Sequence, residues 1–325
     1  MGAQLAPKRV LRHLVSGDVL LVNRQPTLHK PGMMAHCALV LSAERVIRMH
    51  YANCNTYNAD FDGDEINLHF PQSQLARSEA YFIAATHEQY TVPTSGKPLR
   101  GLIQDHVIAG VLITQRGAFF THAEFCQLLH CAAPNAPELP ALPPPALLKP
   151  LRLWSGKQLA GCLLRIASPL CAALNLDAKS KVAADAWGWA HVARDGDGRP
   201  LNPPSKGACE EGDVVVRDGE LLVGLLDKSA FGASEYGLVH AVHEFAGPTA
   251  ASRLLTALGR VLTAYLQLHA FTCCISNFAL RADAEAARAA QLARAEPAAN
   301  DALRALLAAD AVAYTHLTLP TKRIV

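Results

Sequence analysis

One short run constrains the chain more than any other. Asn58-Ala-Asp60-Phe-Asp62-Gly-Asp64-Glu65 sets three carboxylates at alternate positions, with a fourth beside the last. On a helix, residues two apart point about 200° from each other, so the three cannot share a face. On a straight strand they share a face but spread over roughly 13 Å between the outer pair. A tight loop, with Gly63 free to take dihedrals closed to other residues, brings all three round one point. Convergent carboxylates repel each other unless a cation lies between them. Hard oxygen donors without nitrogen or sulfur favour Mg²⁺ or Ca²⁺ over zinc. An exposed acidic turn that binds nothing is the bland reading of the same spacing.

Two other uses of such a loop are tested by counting. An EF-hand wants Gly sixth and Glu twelfth; here Gly63 is fourth and Pro71 twelfth, so it fails. A phosphatase of the haloacid-dehalogenase type also uses Asp-x-Asp-Gly, with the first Asp as nucleophile after a buried parallel strand. Asn53-Cys-Asn-Thr-Tyr-Asn58 is too polar for that strand, and the reading stays open on the motif alone.

The surroundings of the loop are β-rich. Asp18–Val22 follows a Ser16-Gly17 turn and predicts a strand, Ala38–Leu41 predicts another, and Arg45–Met49 alternates as a half-exposed strand does. From Gln74 the period changes. Helices are expected over Ala76–Thr86 and Leu102–Thr114, and Thr121-His-Ala-Glu124 has capping-box form before Phe125, Leu128 and Leu129. Residues 133–150 hold seven prolines and must be an extended surface loop. A further helix is expected over Lys157–Ile166, and a turn-rich excursion over 175–212 that contains Asp195-Gly-Asp-Gly198 and Pro203-Pro204. Val214-Val-Val216 and Leu221-Leu-Val223 flank Asp218-Gly219, a strong hairpin signal. Pro248 opens a helix whose apolar face carries Leu254, Leu255, Leu258, Val261, Leu262 and Tyr265, and an Ala/Arg/Glu-rich helix is expected over Ala282–Ala309.

Composition narrows the class. Half of the 325 residues are hydrophobic and 18% are charged, too apolar a balance for a disordered chain. The formal net charge of +2 announces no nucleic-acid binder in bulk, so any such role rests on local patches. Nine cysteines, an odd number with no C-x-x-C pair, predict reduced thiols packed as small apolar side chains rather than zinc ligands or a disulfide scaffold. No secretory leader is expected from Met1–Pro7, which runs straight into Lys8 and Arg9. No membrane span is expected either, since the most apolar helix carries Arg253 and Arg260. His240-x-x-His243-Glu244 lacks a third ligand at a metal spacing and is taken as packing. Ser155-Gly-Lys-Gln158 lacks the glycine and hydroxyl of a phosphate loop and is taken as a turn.

Asn23-Arg-Gln-Pro-Thr-Leu-His-Lys30, followed by Tyr57-Asn-Ala-Asp-Phe-Asp-Gly-Asp-Glu65, closely resembles the active-site region of the largest subunit of multisubunit DNA-directed RNA polymerases. His50–Asn53, Gly101–His106, Leu148–Pro150, Leu153–Gln158 and Leu226–Gly232 are similar to the same family, most of all to its nuclear polymerase I form. The resemblance runs from about Lys8 to about Thr272 and is thinnest in the Pro-rich loop and the 175–212 excursion. It implies an α+β chain in which a double-psi β-barrel active-site domain precedes a mixed, mainly helical pore and funnel region. The division it implies is 1–73 for the barrel part, 74–247 for the pore domain, and 248–312 for the start of a helical funnel domain, divergent after 274.

The implied activity is DNA-templated nucleotidyl transfer from an NTP to an RNA 3′-hydroxyl. Asp60, Asp62 and Asp64 would hold a resident Mg²⁺, and a second Mg²⁺ would arrive with the NTP. Arg24 and Asn58 match positions that read the ribose hydroxyls of the NTP. Gln25, Pro26, His29 and Lys30 match supports of the site or contacts to nucleic acid, and Lys8, Arg9, Arg12 and His13 form a basic stretch that suits phosphates or solvent equally. The implied partners are the second-largest subunit, other polymerase subunits, DNA template and RNA product, in the nucleus and nucleolus, with no zinc in this segment and no membrane. Ile66 stands where Met is usual in the family, and Cys274–Phe278 departs from its pattern. Clamp, bridge-helix and trigger-loop segments have no counterpart here, so the expectation is a catalytic-core segment that does not polymerise alone; a truncated module that only docks on polymerase subunits is the alternative. Tyr314–Thr321 resembles a translated sequencing adapter, which sets 313–325 apart from the fold.

Overall fold

A computed structural model describes residues 10–136, 139–182 and 211–313. Lys8, Arg9, Asp195–Gly198, Pro203-Pro204, Cys209 and Tyr314–Thr321 lie outside the described residues. The chain is α+β, and it divides into two compact units after Ala270.

The first segment of the larger unit is a small antiparallel sheet. Strand β1 (Val19–Asn23) lies between β2 (Met33–Cys37) and β3 (Asn67–His69). Its period-2 alternation is used on both faces. Val19 packs with Ala35 and Ala80 on one side, while Val22 packs with Met34 and Tyr57 on the other. The short helix α1 (Cys54–Tyr57) thus covers one face and α2 (Gln74–Phe82) the other. The Ser73 hydroxyl caps α2 by accepting from the Ala76 N–H at 3.1 Å.

Two expected strands are absent. Ala38–Leu41 and Arg45–Met49 have no strand geometry, and the second strand lies earlier, at Met33–Cys37. Both edges of β1 are already taken by β2 and β3, so residues 38–50 find no partner on it; Leu39, Val46 and Ile47 stand exposed. The three described strands form an open sheet, not a closed barrel. α2 also stops short of Thr86: Thr86–Gln89 is a 3₁₀ turn, and Ala85 instead bridges to Ala35 of β2.

Most of the main core lies beyond residue 100, with Ala52 and Tyr90 joining it. It is built from α3 (Asp105–Thr114), α4 (His122–Ala132), α5 (Gly156–Ala167), α6 (Lys228–Phe231), α7 (Leu238–Ala246) and α8 (Pro248–His269). α8 is the central member. Ten of its residues, among them Leu254, Leu255, Val261 and Leu262, are buried against α3, α4, α5 and α7. The helix expected to open a new domain therefore packs in the same core as residues 105–167. The expected cap forms, with Thr121 and Glu124 beginning α4. Ser155-Gly-Lys-Gln158, taken as a turn, is instead a capping box that begins α5, its Ser155 side chain accepting from the Gln158 N–H. Gly156 is where α5 meets α3, because a Cβ there would collide with the Ile113 carbonyl.

The Pro-rich loop is seated on this core. The Pro143 and Pro144 carbonyls accept from the Trp154 indole N–H at 2.8 Å and the Gln158 amide at 2.7 Å. Leu176–Lys179, Asp213–Arg217 and Glu220–Val223 form a second three-stranded antiparallel sheet. Its hairpin turns at Asp218 and Gly219 with φ of 50° and 69°, the geometry the Asp-Gly pair predicts. The second unit carries a long helix (Ala282–Ala313), exposed at every described side chain. Among the described residues no helix is long and apolar enough to cross a membrane.

Candidate metal centre

The acidic run folds as the tight loop its spacing demands. α1 is a single turn that ends at Asn58, whose φ of 47° and ψ of 44° are left-handed. Asparagine tolerates that conformation better than any other residue with a Cβ apart from aspartate. The chain then doubles back, with the Ala59 N–H donating to the Cys54 carbonyl at 3.0 Å. Gly63, at φ 124°, makes the second reversal. One carboxylate oxygen from each of Asp60, Asp62 and Asp64 falls within 4.8 Å of the others. Among the described residues this is the one cluster of three or more metal-ligating side chains with that closeness.

The three carboxylates are not equivalent. Asp64 is the held one: Arg24 Nε lies 2.7 Å from its Oδ2, and the Asp60 N–H donates to the same oxygen at 3.1 Å. The guanidinium, then that backbone donor, keep the Asp64 carboxyl below its ordinary range. Asp60 is pushed the other way, chiefly by its contact with Asp62. A carboxyl raised by the carboxylates beside it, as Asp60 is, sits where positive charge is short, and a divalent cation supplies it. Magnesium takes oxygen ligands at about 2.1 Å, which sets adjacent ones about 3 Å apart. All-oxygen donors already within 4.8 Å fit that demand by side-chain rotation.

Arg24 reaches the loop because β1 ends at Asn23 beside it. Its NH1 also donates to the Tyr57 carbonyl at 3.3 Å, so one guanidinium grips both the end of α1 and the last aspartate. Tyr57 is itself buried, its hydroxyl 2.7 Å from His36 Nε2 on β2. Burial drives the Tyr57 phenol up and the His36 imidazole down to about 4, so both are neutral.

The remaining predicted residues are placed as follows. Asn58 is exposed at the mouth of the loop. Gln25 and Pro26 are exposed in the turn after β1, Lys30 is exposed in the 3₁₀ turn Lys30–Gly32, and His29 precedes that turn. The structure brings Arg24 to the aspartates; among the described residues no hydrogen bond or ion pair joins Gln25, His29 or Lys30 to them. Arg12 is occupied by Asp18, at 2.7 Å. The phosphatase placement is not met, because the motif follows a helical turn rather than a strand. His240 accepts from the Tyr236 N–H and His243 stacks on Tyr90 at 4.6 Å, as packing histidines do.

Three features of the site carry no local sequence signal. Tyr51 packs edge-on against Phe61, between the aspartates, with ring centroids 5.5 Å apart, and against His106 at 5.2 Å. Arg100 is buried beneath α1 and donates to Asn53 Oδ1 at 3.0 Å. His36 closes the cluster from β2. Each joins residues far apart in sequence, which periodicity cannot reveal.

Residues 2–86 match the family model of RNA polymerase Rpb1, domain 2, and residues 89–278 match that of RNA polymerase Rpb1, domain 3. The chain is 52% identical over 279 residues to DNA-directed RNA polymerase I subunit rpa1 of Schizosaccharomyces pombe, covering 84% of this chain and 15% of that protein. Identity to the Dictyostelium discoideum subunit of the same name is 47% over 293 residues, covering 89% and 17%. With DNA-directed RNA polymerase I subunit RPA190 of Saccharomyces cerevisiae it is 44% over 283 residues, covering 85% and 16%. The chain thus spans less than a fifth of the length of these relatives.

Proposed function

The chain belongs to the Rpb1 family of RNA polymerase largest subunits, and from that premise we propose that it is the catalytic-core segment of an RNA polymerase I largest subunit. The observation that carries the reading is the convergence of Asp60, Asp62 and Asp64 on one point, with Arg24 clamped to Asp64. In this reading the three aspartates hold Mg²⁺, which when bound makes the RNA 3′-hydroxyl a better nucleophile and offsets charge at the reacting phosphate. The chain's own residues do the positioning. Arg24 keeps Asp64 ionised and aimed, and the Asp60 N–H fixes the same oxygen.

Arg24 has donors to spare. A guanidinium carries five N–H bonds; one points at Asp64 and one at Tyr57. The others suit the ribose hydroxyls of an incoming NTP, with exposed Asn58 beside them, and this is the basis proposed for preferring NTPs over dNTPs. Gln25, Pro26, His29 and Lys30 support the site or meet nucleic-acid backbone. The open sheet of β1, β2 and β3 is one part of a double-psi β-barrel. Template DNA, RNA product, the second-largest subunit and other polymerase subunits complete the cleft, in the nucleus and nucleolus, and the segment alone does not polymerise.

The test is Asp62→Ala in the full-length subunit within the assembled polymerase. RNA extension is expected to be lost while the subunits still co-purify; extension at the wild-type rate would overturn the reading.

A further inference from the structure

We propose that Arg100 is a positioning residue for the metal loop, acting through Asn53 at the root of α1; the inference rests on the reading of Asp60, Asp62 and Asp64 as metal ligands. Arg100 is 5% exposed, yet it has no ion pair among the described residues. Its Nε donates to Asn53 Oδ1 at 3.0 Å and its NH1 to the Thr86 carbonyl at 3.3 Å. A buried cation with only neutral acceptors is unusual, because desolvation penalises it and nothing of opposite charge compensates. What those two acceptors have in common is their place in the fold.

Asn53 immediately precedes α1, the single turn whose other end is left-handed Asn58 and then Asp60. At a helix start an asparagine side chain usually accepts from its own helix. Here it does not cap α1, and its oxygen is held by Arg100 instead. Thr86 follows Ala85, which bridges to Ala35 of β2, and the Thr86 hydroxyl donates to the Ala35 carbonyl at 2.8 Å. Arg100 therefore ties the root of α1 to the sheet that carries Arg24. Arg24 grips the far end of α1 at the Tyr57 carbonyl. The turn presenting the aspartates is fixed by one guanidinium at each end. Since α1 is only four residues long, freedom at Asn53 is passed directly to Asp60. The planar fork matters as well as the charge, because one group must meet two acceptors at once.

The test uses Mn²⁺ as the probe, with affinity read by electron paramagnetic resonance on the full 325-residue chain. Arg100→Gln and Arg100→Lys are each expected to weaken Mn²⁺ binding by about tenfold or more, the usual effect of losing a group that orients a ligand. Asn53→Ala should do the same, and the Arg100→Gln/Asn53→Ala pair should be no weaker than either alone. Asn53→Asp keeps the acceptor and should keep wild-type affinity. In the assembled polymerase, Arg100→Gln should lower kcat and leave KM for NTP unchanged. A merely structural Arg100 would lower the melting temperature but leave the Mn²⁺ affinity of folded chain at the wild-type value, which would overturn the proposal. If Arg100→Gln does not fold, wild-type affinity in Asn53→Ala overturns it equally. Asp62→Ala separates the two readings: unchanged Mn²⁺ binding in that variant refutes the metal site itself.

Discussion

Asp60 and Asp64 stand four residues apart and are driven in opposite directions, one by a neighbouring carboxylate and one by Arg24. That asymmetry makes Arg24 the residue to alter. Arg24→Lys keeps a charge but gives up the fork, and in the assembled polymerase discrimination between NTP and dNTP is expected to fall by about tenfold, measured as the ratio of kcat/KM values. The buried histidines give a second prediction. Burial, with help from Arg100, holds His36 and His50 down to about 4. An unfolded chain binds these protons from about pH 6.5, so between pH 6.5 and pH 4 the unfolded state carries more protons than the folded one. Stability is present above that window and is lost as pH falls through it, by up to about 3 kcal/mol for each group. Urea midpoints measured from pH 7 to pH 4.5 should drop, and less so in His36→Gln. At this scale the aspartates were legible, because no helix or strand brings alternate carboxylates round one point. Arg100 was not: it sits in Lys97-Pro-Leu-Arg100 with no period around it, and its partner is 47 residues away.

Elements were legible where the signal is local. The capping box at Thr121 and the Asp218-Gly219 hairpin form as read, because each is decided within four residues, whereas Ser155-Gly-Lys-Gln158, read as a turn, opens a helix. The strands expected over Ala38–Leu41 and Arg45–Met49 do not form, since a strand needs a partner and β1 has none left. Caps should therefore respond locally. Thr121→Ala removes the acceptor for the Glu124 N–H and is expected to cost about 1 kcal/mol in urea unfolding. Gly156→Ala belongs to another class. Its methyl group would press on the Ile113 carbonyl, and the helices must separate, for a loss of roughly 1–3 kcal/mol. A wild-type urea midpoint in that variant would show that α3 and α5 do not meet there.

Across the larger unit, apolar burial is uneven. One core joins α3, α4, α5, α7 and α8, while the sheet of β1, β2 and β3 rests on two clusters of three buried residues each. Local opening is easiest where few apolar contacts must be broken. Amide exchange should accordingly be slowest in α8 and α5 and faster by orders of magnitude in β1, with added Mg²⁺ slowing residues 58–64 selectively. Uniform protection from β1 to α8 would contradict this. The difference was hidden from the sequence, because Val19–Val22 is as apolar as many core strands and only the number of its neighbours sets it apart. Tyr51 gives the unevenness a practical meaning. Phe61 rests on Tyr51, Tyr51 on His106, and His106 is bonded to Thr263 of α8 at 3.1 Å. The acidic loop is thus not a cassette: grafted with its sheet alone onto another scaffold, it would leave behind the aromatic prop that ends on the central helix of the core, and a transplant would have to bring His106 and Thr263 with it.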